Sequence, residues 1–291
     1  MKKENNARIM MIISMTIFGT IGLFIRFIPV SSGELALYRA VFAAVVIGIY
    51  FIITKQKIPY NKIKKQIPIL LISGFAMGIN WILLFEAYKY TTVSVATLSY
   101  YFAPVIVTAV CPFLFREKLT AKQLICFVMS TIGIVMITGI GDFGKSGNDF
   151  LGIMFGLGAA VFYATVILLN KFIKEVDGIH RTFLQFISAI IILTPYVAYT
   201  GGMNLKNMDI RGLLLLVVVG VIHTGVTYCM YFSSLKELPG QKAAILSYID
   251  PLVAVFVSVL ILGESMTLIQ AIGGMLILGF AFLNELSDKG R

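Results

Sequence analysis

The stretch Ala243 to Gln270 (AAILSYIDPLVAVFVSVLILGESMTLIQ) constrains this chain more than any other, because it occurs twice. Moved back by 147 positions, it lies without gaps on Ala96 to Gln123 (ATLSYYFAPVIVTAVCPFLFREKLTAKQ), with seven of 28 positions identical. Seven matches between two apolar segments would mean little by number alone. Which positions agree carries the argument: Tyr101 falls on Tyr248, Pro104 on Pro251, Glu117 on Glu264, Thr120 on Thr267 and Gln123 on Gln270. Polar residues kept in register at the end of an apolar span mark a repeated structural unit.

The repeat runs further back. At the same offset of 147, Gly78 falls on Gly225, Asn80 on Thr227, Trp81 on Tyr228, Phe85 on Phe232 and Lys89 on Lys236. At 145, Phe18 falls on Tyr163 and Arg26 on Lys171; at 146, Arg39 falls on Gln185. The polar, Gly-rich segment 139–149 is the natural joint between the copies.

Composition decides the solvent. The chain is 58% hydrophobic and 13% charged, with a mean hydropathy of +0.92, whereas a soluble domain is about a quarter charged. The charges sit between apolar runs of about 20 residues, the length that spans a bilayer as helix. Ten spans are expected, near 8–28, 34–54, 66–88, 92–115, 121–139, 150–170, 179–199, 210–232, 241–262 and 267–285. The expected fold is an all-α membrane protein of ten transmembrane helices, built as two inverted five-helix repeats. Residues 1–140 form the first, 141–149 a connecting outer loop and 150–291 the second.

Five spans per copy oblige the second copy to enter the membrane from the opposite side. Charge supports this. With a cytoplasmic N-terminus, the inside segments hold 18 Lys and Arg and the outside segments five, the bias expected of cytoplasmic loops. Both termini are thus expected in the cytoplasm of a multi-pass cell-membrane protein. Arg116, Lys118 and Lys122 become Gly263, Ser265 and Ile269 in the second copy, as if that loop now faced outward. The first apolar run is too long for the core of a cleavable signal peptide. The net charge of +10 then reflects this bias, and no nucleic-acid partner is expected.

The pattern resembles the EamA-type transporters of the drug/metabolite transporter superfamily. The motifs behind the resemblance are FREKLTAKQ at 115–123 and LGESMTLIQ at 262–270, each after a Pro-bearing span. The resemblance implies a ten-helix bundle with a central cavity and transport of small metabolites, often amino acids or related compounds, commonly by export. The first span reads Phe18-Gly19 where many relatives carry Trp before that Gly.

Within the spans, Asp250 is the sharpest candidate for chemistry. It lies about nine residues, roughly 13 Å, from one end of its span, where a carboxylate costs about 2.5–3.5 kcal/mol and faces a cavity or a partner. Pro251 cannot satisfy the carbonyl of Ser247, and Ser247 shares a helix face with Asp250. His223 has nearly the same depth, with Thr227 one turn on. A His223–Asp250 contact would couple proton movement to transport. Asn80 repeats Thr227. Trp81, Tyr101, Tyr228 and Tyr248 could surround an ammonium group. Arg39 either snorkels outward or pairs with Glu34, or else binds a substrate carboxylate. Glu117 and Glu264 read as turn and capping residues for the helices that follow them. Small-xxx-small pairs such as Gly74/Gly78 and Gly152/Gly156 read as bundle packing.

Cys111, Cys126 and Cys229 lie inside apolar runs and offer neither a disulfide framework nor metal spacing. There is no nucleophile–base array and no phosphate-binding glycine loop, so no enzyme, metal or cofactor is expected. The expected function is secondary transport, proton-coupled or by exchange, of small polar metabolites such as amino acids or related amines. A choline or quaternary-amine transporter with an aromatic cage is the alternative, and a channel-like or enzymatic membrane protein a further one.

Overall fold

The computed structural model describes residues 2–56, 63–115, 120–138, 147–173, 176, 178–201, 208–238 and 246–285, and every regular element among them is helical. In chain order the helices are α1 (Lys2–Gly19), α2 (Ile21–Ile25), α3 (Ser32–Ile53), α4 (Ile67–Tyr90), α5 (Val93–Tyr100), α6 (Ala103–Phe115) and α7 (Ala121–Thr138). They continue with α8 (Gly147–Phe172), α9 (Gly178–Thr200), α10 (Ile210–Val218), α11 (Thr227–Glu237), α12 (Ile249–Phe256) and α13 (Leu268–Glu285). Wider π-helical turns join α10 to α11 (Val219–Val226) and extend α12 (Val257–Ile261).

Six helical stretches are long and apolar enough to cross a membrane: Lys3–Ile25, Ser32–Ile53, Lys64–Tyr90, Asp149–Asn170, Gly178–Thr200 and Ile210–Ser234. Four shorter apolar helices, Val93–Val107, Leu124–Ile137, Ile249–Ile261 and Leu268–Leu283, accompany them. Large apolar side chains such as Ile52, Leu260 and Leu268 point outward, while Ala36, Ala40 and Ala43 are buried where α3 meets its neighbours. This inverts a soluble protein and suits a bilayer, where lipid solvates the outer face and small residues let helices approach.

Helix starts follow from local chemistry. Ser31 and Glu34 form a capping box at α3, with bonds of 3.2 and 3.0 Å. Thr92 caps α5 through the Val95 N–H, and Asp209 caps α10 through the Gly212 N–H. At α13, Thr267 Oγ1 accepts from Gln270 N and Gln270 Oε1 accepts from Thr267 N. In the second copy the Thr and Gln of the Glu-x-x-Thr-x-x-Gln motif are therefore a capping box.

The motif's Glu does something else, contrary to its reading as a cap for the following helix. Glu264 Oε2 accepts from Val93 N at 2.8 Å, at the start of α5, and from Ser258 Oγ. Its other oxygen pairs with Arg26, whose guanidinium also donates to the Thr91 carbonyl. Ser94 Oγ bonds Ser258 Oγ. One carboxylate thus ties together the α2–α3, α4–α5 and α12–α13 connections. A carboxylate so placed meets the unpaired N–H groups and positive end of a helix. Glu117 lies outside the described residues, as does most of the 139–149 joint.

The span read at 92–115 is two helices. It breaks at Tyr101 and Phe102, where Tyr101 N still bonds Thr97 O but Phe102 N turns to Ser99 O. The matching turn in the second copy falls at Tyr248. Pro251 consequently sits in the first turn of α12, where a missing N–H leaves no gap in the hydrogen-bond ladder.

The first span likewise breaks, at Thr20, after Gly19. A Cβ on Gly19 would stand 2.5 Å from the Asp250 carbonyl oxygen and 2.7 Å from Val253 Cβ. Glycine here permits α1 to lie directly on α12. Of the small-residue pairs, Gly74 meets Ser188 and the Gln185 carbonyl, while Gly156 meets Ser99 and the Ala96 carbonyl, which is packing, as read.

Helices α3 and α9 run antiparallel. Gly33, at the start of α3, meets Tyr196 and Val197 near the end of α9. Phe51, near the end of α3, stacks on His180 at the start of α9 with ring centroids 4.7 Å apart.

Candidate functional site

Between these helices lies a cavity of about 380 Å³. Seven of the residues singled out from the sequence line it: Arg39, Trp81, Tyr101, Tyr228, Ser247, Tyr248 and Asp250. They come from five places in the fold. Arg39 projects from α3, Trp81 from α4, Tyr101 from the α5–α6 break and Tyr228 from the first turn of α11. Ser247, Tyr248 and Asp250 come from the turn that opens α12.

Asp250 Oδ2 accepts a hydrogen bond from the Tyr101 hydroxyl at 2.7 Å. The bond holds one carboxylate oxygen and leaves the other to the cavity. Arg39 is buried, 5% exposed, so it does not snorkel outward. Its Nε donates to Thr224 Oγ1 at 2.5 Å, and the Thr224 hydroxyl donates in turn to the Val219 carbonyl. The guanidinium lies over the rings of Trp81 and Phe85, 5.0 and 5.6 Å from their centroids. Aromatic faces stabilise a cation in a low dielectric without neutralising it. Among the described residues no ion pair joins Arg39 to Asp250. A basic and an acidic side chain therefore share one cavity, each oriented by a neighbour and not bonded to the other.

Three of the singled-out residues lie outside the cavity. The Asn80 amide donates to the Ala159 carbonyl at 2.7 Å and is 3% exposed. Thr227 donates to the Ile222 carbonyl at 2.6 Å, closing a π-helical turn. His223 bonds Thr20 Oγ1 at 3.0 Å and packs edge-on against Phe24. The proposed His223–Asp250 contact is absent: His223 ties the π-helical turn to the break between α1 and α2 instead. Each of the three spends a side-chain hydrogen bond within the bundle rather than on the cavity.

Sequence reasoning passed over other lining residues, among them Tyr88, Tyr163, Tyr231, Asn170, Thr182 and Gln185. The repeat held a signal for some. Phe18 and Tyr163, Arg39 and Gln185, Trp81 and Tyr228, and Tyr101 and Tyr248 are four pairs aligned by sequence, and all eight residues line this cavity. Among the described residues, no group of three or more His, Cys, Asp or Glu could hold a metal ion.

Known proteins resemble this chain over its whole length. The model of the EamA-like transporter family matches residues 6–139 and again 150–285. The uncharacterized transporter YxxF of Bacillus subtilis (strain 168) is 31% identical over 291 residues, spanning 100% of this chain and 93% of that one. A probable amino-acid metabolite efflux pump of Salmonella typhimurium is 23% identical over 257 residues, spanning 84% of this chain and 86% of that one. A solved structure described only as "Crystal structure of protein" superposes with a TM-score of 0.67 at 16% identity, covering 97% of this chain and 98% of that one. At that identity it speaks for the fold alone. The two family matches, the relatives named as transporters and the apolar helical bundle lead to one conclusion: this chain belongs to the EamA-like transporter family and is a membrane transporter, not an enzyme.

Proposed function

We propose that this protein is a secondary transporter of small zwitterions, amino acids or closely related amines, working by alternating access between two inverted five-helix halves. The observation that carries the reading is the unpaired coexistence of Arg39 and Asp250 in one cavity. Arg39 takes the carboxylate, for which its planar donors are suited. Asp250 takes the ammonium group, with Tyr101 fixing the carboxylate and surrounding tyrosine rings adding cation–π attraction. The Salmonella relative described as an amino-acid metabolite efflux pump is in keeping with this class of cargo. When no cargo is bound, Asp250 is the group that carries a proton, which would couple transport to a proton gradient or permit exchange.

In this reading the chain crosses the membrane ten times with both termini on one side. The Arg26–Glu264 network then lies at the face opposite the termini and latches it shut. The cavity reaches toward the other face, where Asn170, Thr182 and Ser247 line it. The repeat aligns Glu117 with Glu264 and Lys171 with Arg26, and both of those side chains lie outside the described part. Opening the Arg26–Glu264 latch while the opposite face closes would expose a fixed central site to each side in turn.

The test is thermal stabilisation of the purified protein by amino acids, amines without a carboxylate, and choline. A ligand that binds only the folded state raises the melting temperature by mass action. Zwitterions should stabilise wild type and fail to stabilise Asp250→Asn or Arg39→Gln. Stabilisation by choline, retained in Arg39→Gln, would instead identify a quaternary-amine site.

A further inference from the structure

We infer that Asn170, Thr182 and Gln185 form a second polar station that reads the side chain of the cargo, at the end of the cavity away from Arg39. The inference rests on the zwitterion reading above and adds an orientation and a selectivity to it.

Gln185 is the repeat counterpart of Arg39, and both line the cavity. Their anchoring is alike across the two copies. Arg39 reaches from α3 to Thr224 in the π-helical stretch after α10, and Gln185 reaches from α9 to Ser73 in α4 at 2.6 Å. Each ties the second long helix of one copy to the third of the other. The chain has nonetheless made the two positions chemically different, one a permanent cation and one a neutral amide.

Their separation follows from the antiparallel pairing of α3 and α9. Gly33 lies beside Tyr196 and Val197, and Gly48 beside Phe183, so the position of α9 level with Arg39 is near residue 192. Gln185 is seven residues away, about 10 Å at 1.5 Å per residue. An extended α-amino acid with two methylenes before its terminal group measures about 6 Å, and a hydrogen bond adds about 3 Å at each end. A cargo whose carboxylate meets Arg39 therefore brings its side-chain terminus to Gln185.

The station there is poised for an uncharged hydrogen-bonding group. Gln185 Nε2 donates to Ser73 Oγ and, at 2.8 Å, to Asn170 Oδ1, which engages both of its hydrogens. Among the described residues nothing takes up Gln185 Oε1, the Asn170 side-chain N–H groups or the Thr182 hydroxyl. An acceptor, a donor and a hydroxyl are thus presented together; the guanidinium of Arg181 is spent beside them on the Asn170 and Val176 backbone carbonyls and does not line the cavity. A carboxamide or hydroxyl on the cargo satisfies this set. An apolar terminus leaves it desolvated and unpaired, which is the condition under which a site rejects an analogue that lacks the group.

The experiment compares L-glutamine with L-methionine, of similar length but without the amide, by direct titration into the purified full-length protein. Wild type should bind glutamine at least tenfold more tightly. Asn170→Leu should abolish that preference, and the near-isosteric Thr182→Val should reduce it. Equal Kd values for the two ligands on wild type would overturn this inference and leave the zwitterion reading standing, as would a preference that survives both substitutions. Binding of neither amino acid to wild type would remove the zwitterion reading, and this inference with it.

Discussion

The Tyr101 hydroxyl donates to Asp250 Oδ2 at 2.7 Å across the centre of the bundle. The bond joins the turn that breaks one span to the first turn of the helix that follows the matching break in the other copy. Two interrupted spans, each with a proline just past the interruption, thereby meet through one side-chain contact. The interruptions take Tyr101 out of regular helix and set Asp250 in the opening turn of α12, so that both line the cavity, and the contact fixes the carboxyl group before any cargo arrives.

Tyr101→Phe keeps the ring and removes the donor. A side-chain hydrogen bond contributes about 0.5–1.5 kcal/mol net, and for a chain of this size its loss corresponds to a fall of roughly 2–4 °C in Tm. Tyr199 is 93% exposed, so Tyr199→Phe should leave Tm unchanged. Melting both variants in the same detergent checks the difference.

Gly19→Ala should be among the most damaging single-methyl additions. The new Cβ would meet the Asp250 carbonyl oxygen at 2.5 Å, backbone that moves only if α1 and α12 separate. Overpacking of this kind costs about 1–3 kcal/mol. Gly279, with nothing within 4 Å of its Cβ position, is the control. Gly279→Ala should raise stability, because alanine gains about 1 kcal/mol over glycine in a helix. Equal Tm values for the two variants would show that α1 does not bear on α12.

Glu264→Gln should loosen the Arg26 latch without changing side-chain size. Thr97 lines the cavity, so Thr97→Cys, placed in a background without Cys111, Cys126 and Cys229, reports access to it. With an impermeant maleimide added on the latch side of oriented vesicles, labelling should rise several-fold in Glu264→Gln. Unchanged labelling would mean that the network does not hold that face closed.

The sequence conveyed the solvent, the repeat and most of the cavity wall. It could do so because residues that face a shared axis are aligned by the repeat: Trp81 with Tyr228, Tyr101 with Tyr248, Phe18 with Tyr163. Depth in the membrane was a weaker guide. His223 and Thr227 were read at the level of Asp250, yet the π-helical turns over Val219–Val226 rotate that stretch relative to an ideal helix, and His223 bonds Thr20 while Thr227 bonds the Ile222 carbonyl. Asn80 was lost to a carbonyl, that of Ala159, whose position depends on tertiary packing. Glu264 was misplaced for a similar reason: a carboxylate beside a helix start suggests a local cap, and only the assembled fold brings the N-terminus of α5 within its reach. Gln185 was visible as the partner of Arg39, but a neutral amide in an apolar span raises no alarm until its cavity is known.

The most direct test of the account is exchange in proteoliposomes. Vesicles loaded with an unlabelled neutral amino acid should take up the labelled form in a saturable, counter-exchanging manner. Asp250→Asn and Arg39→Gln should each lower that flux at least tenfold while keeping a cooperative melt. Exchange that proceeds undiminished in both variants, or flux that neither saturates nor requires internal substrate, would contradict a zwitterion site built from Arg39 and Asp250.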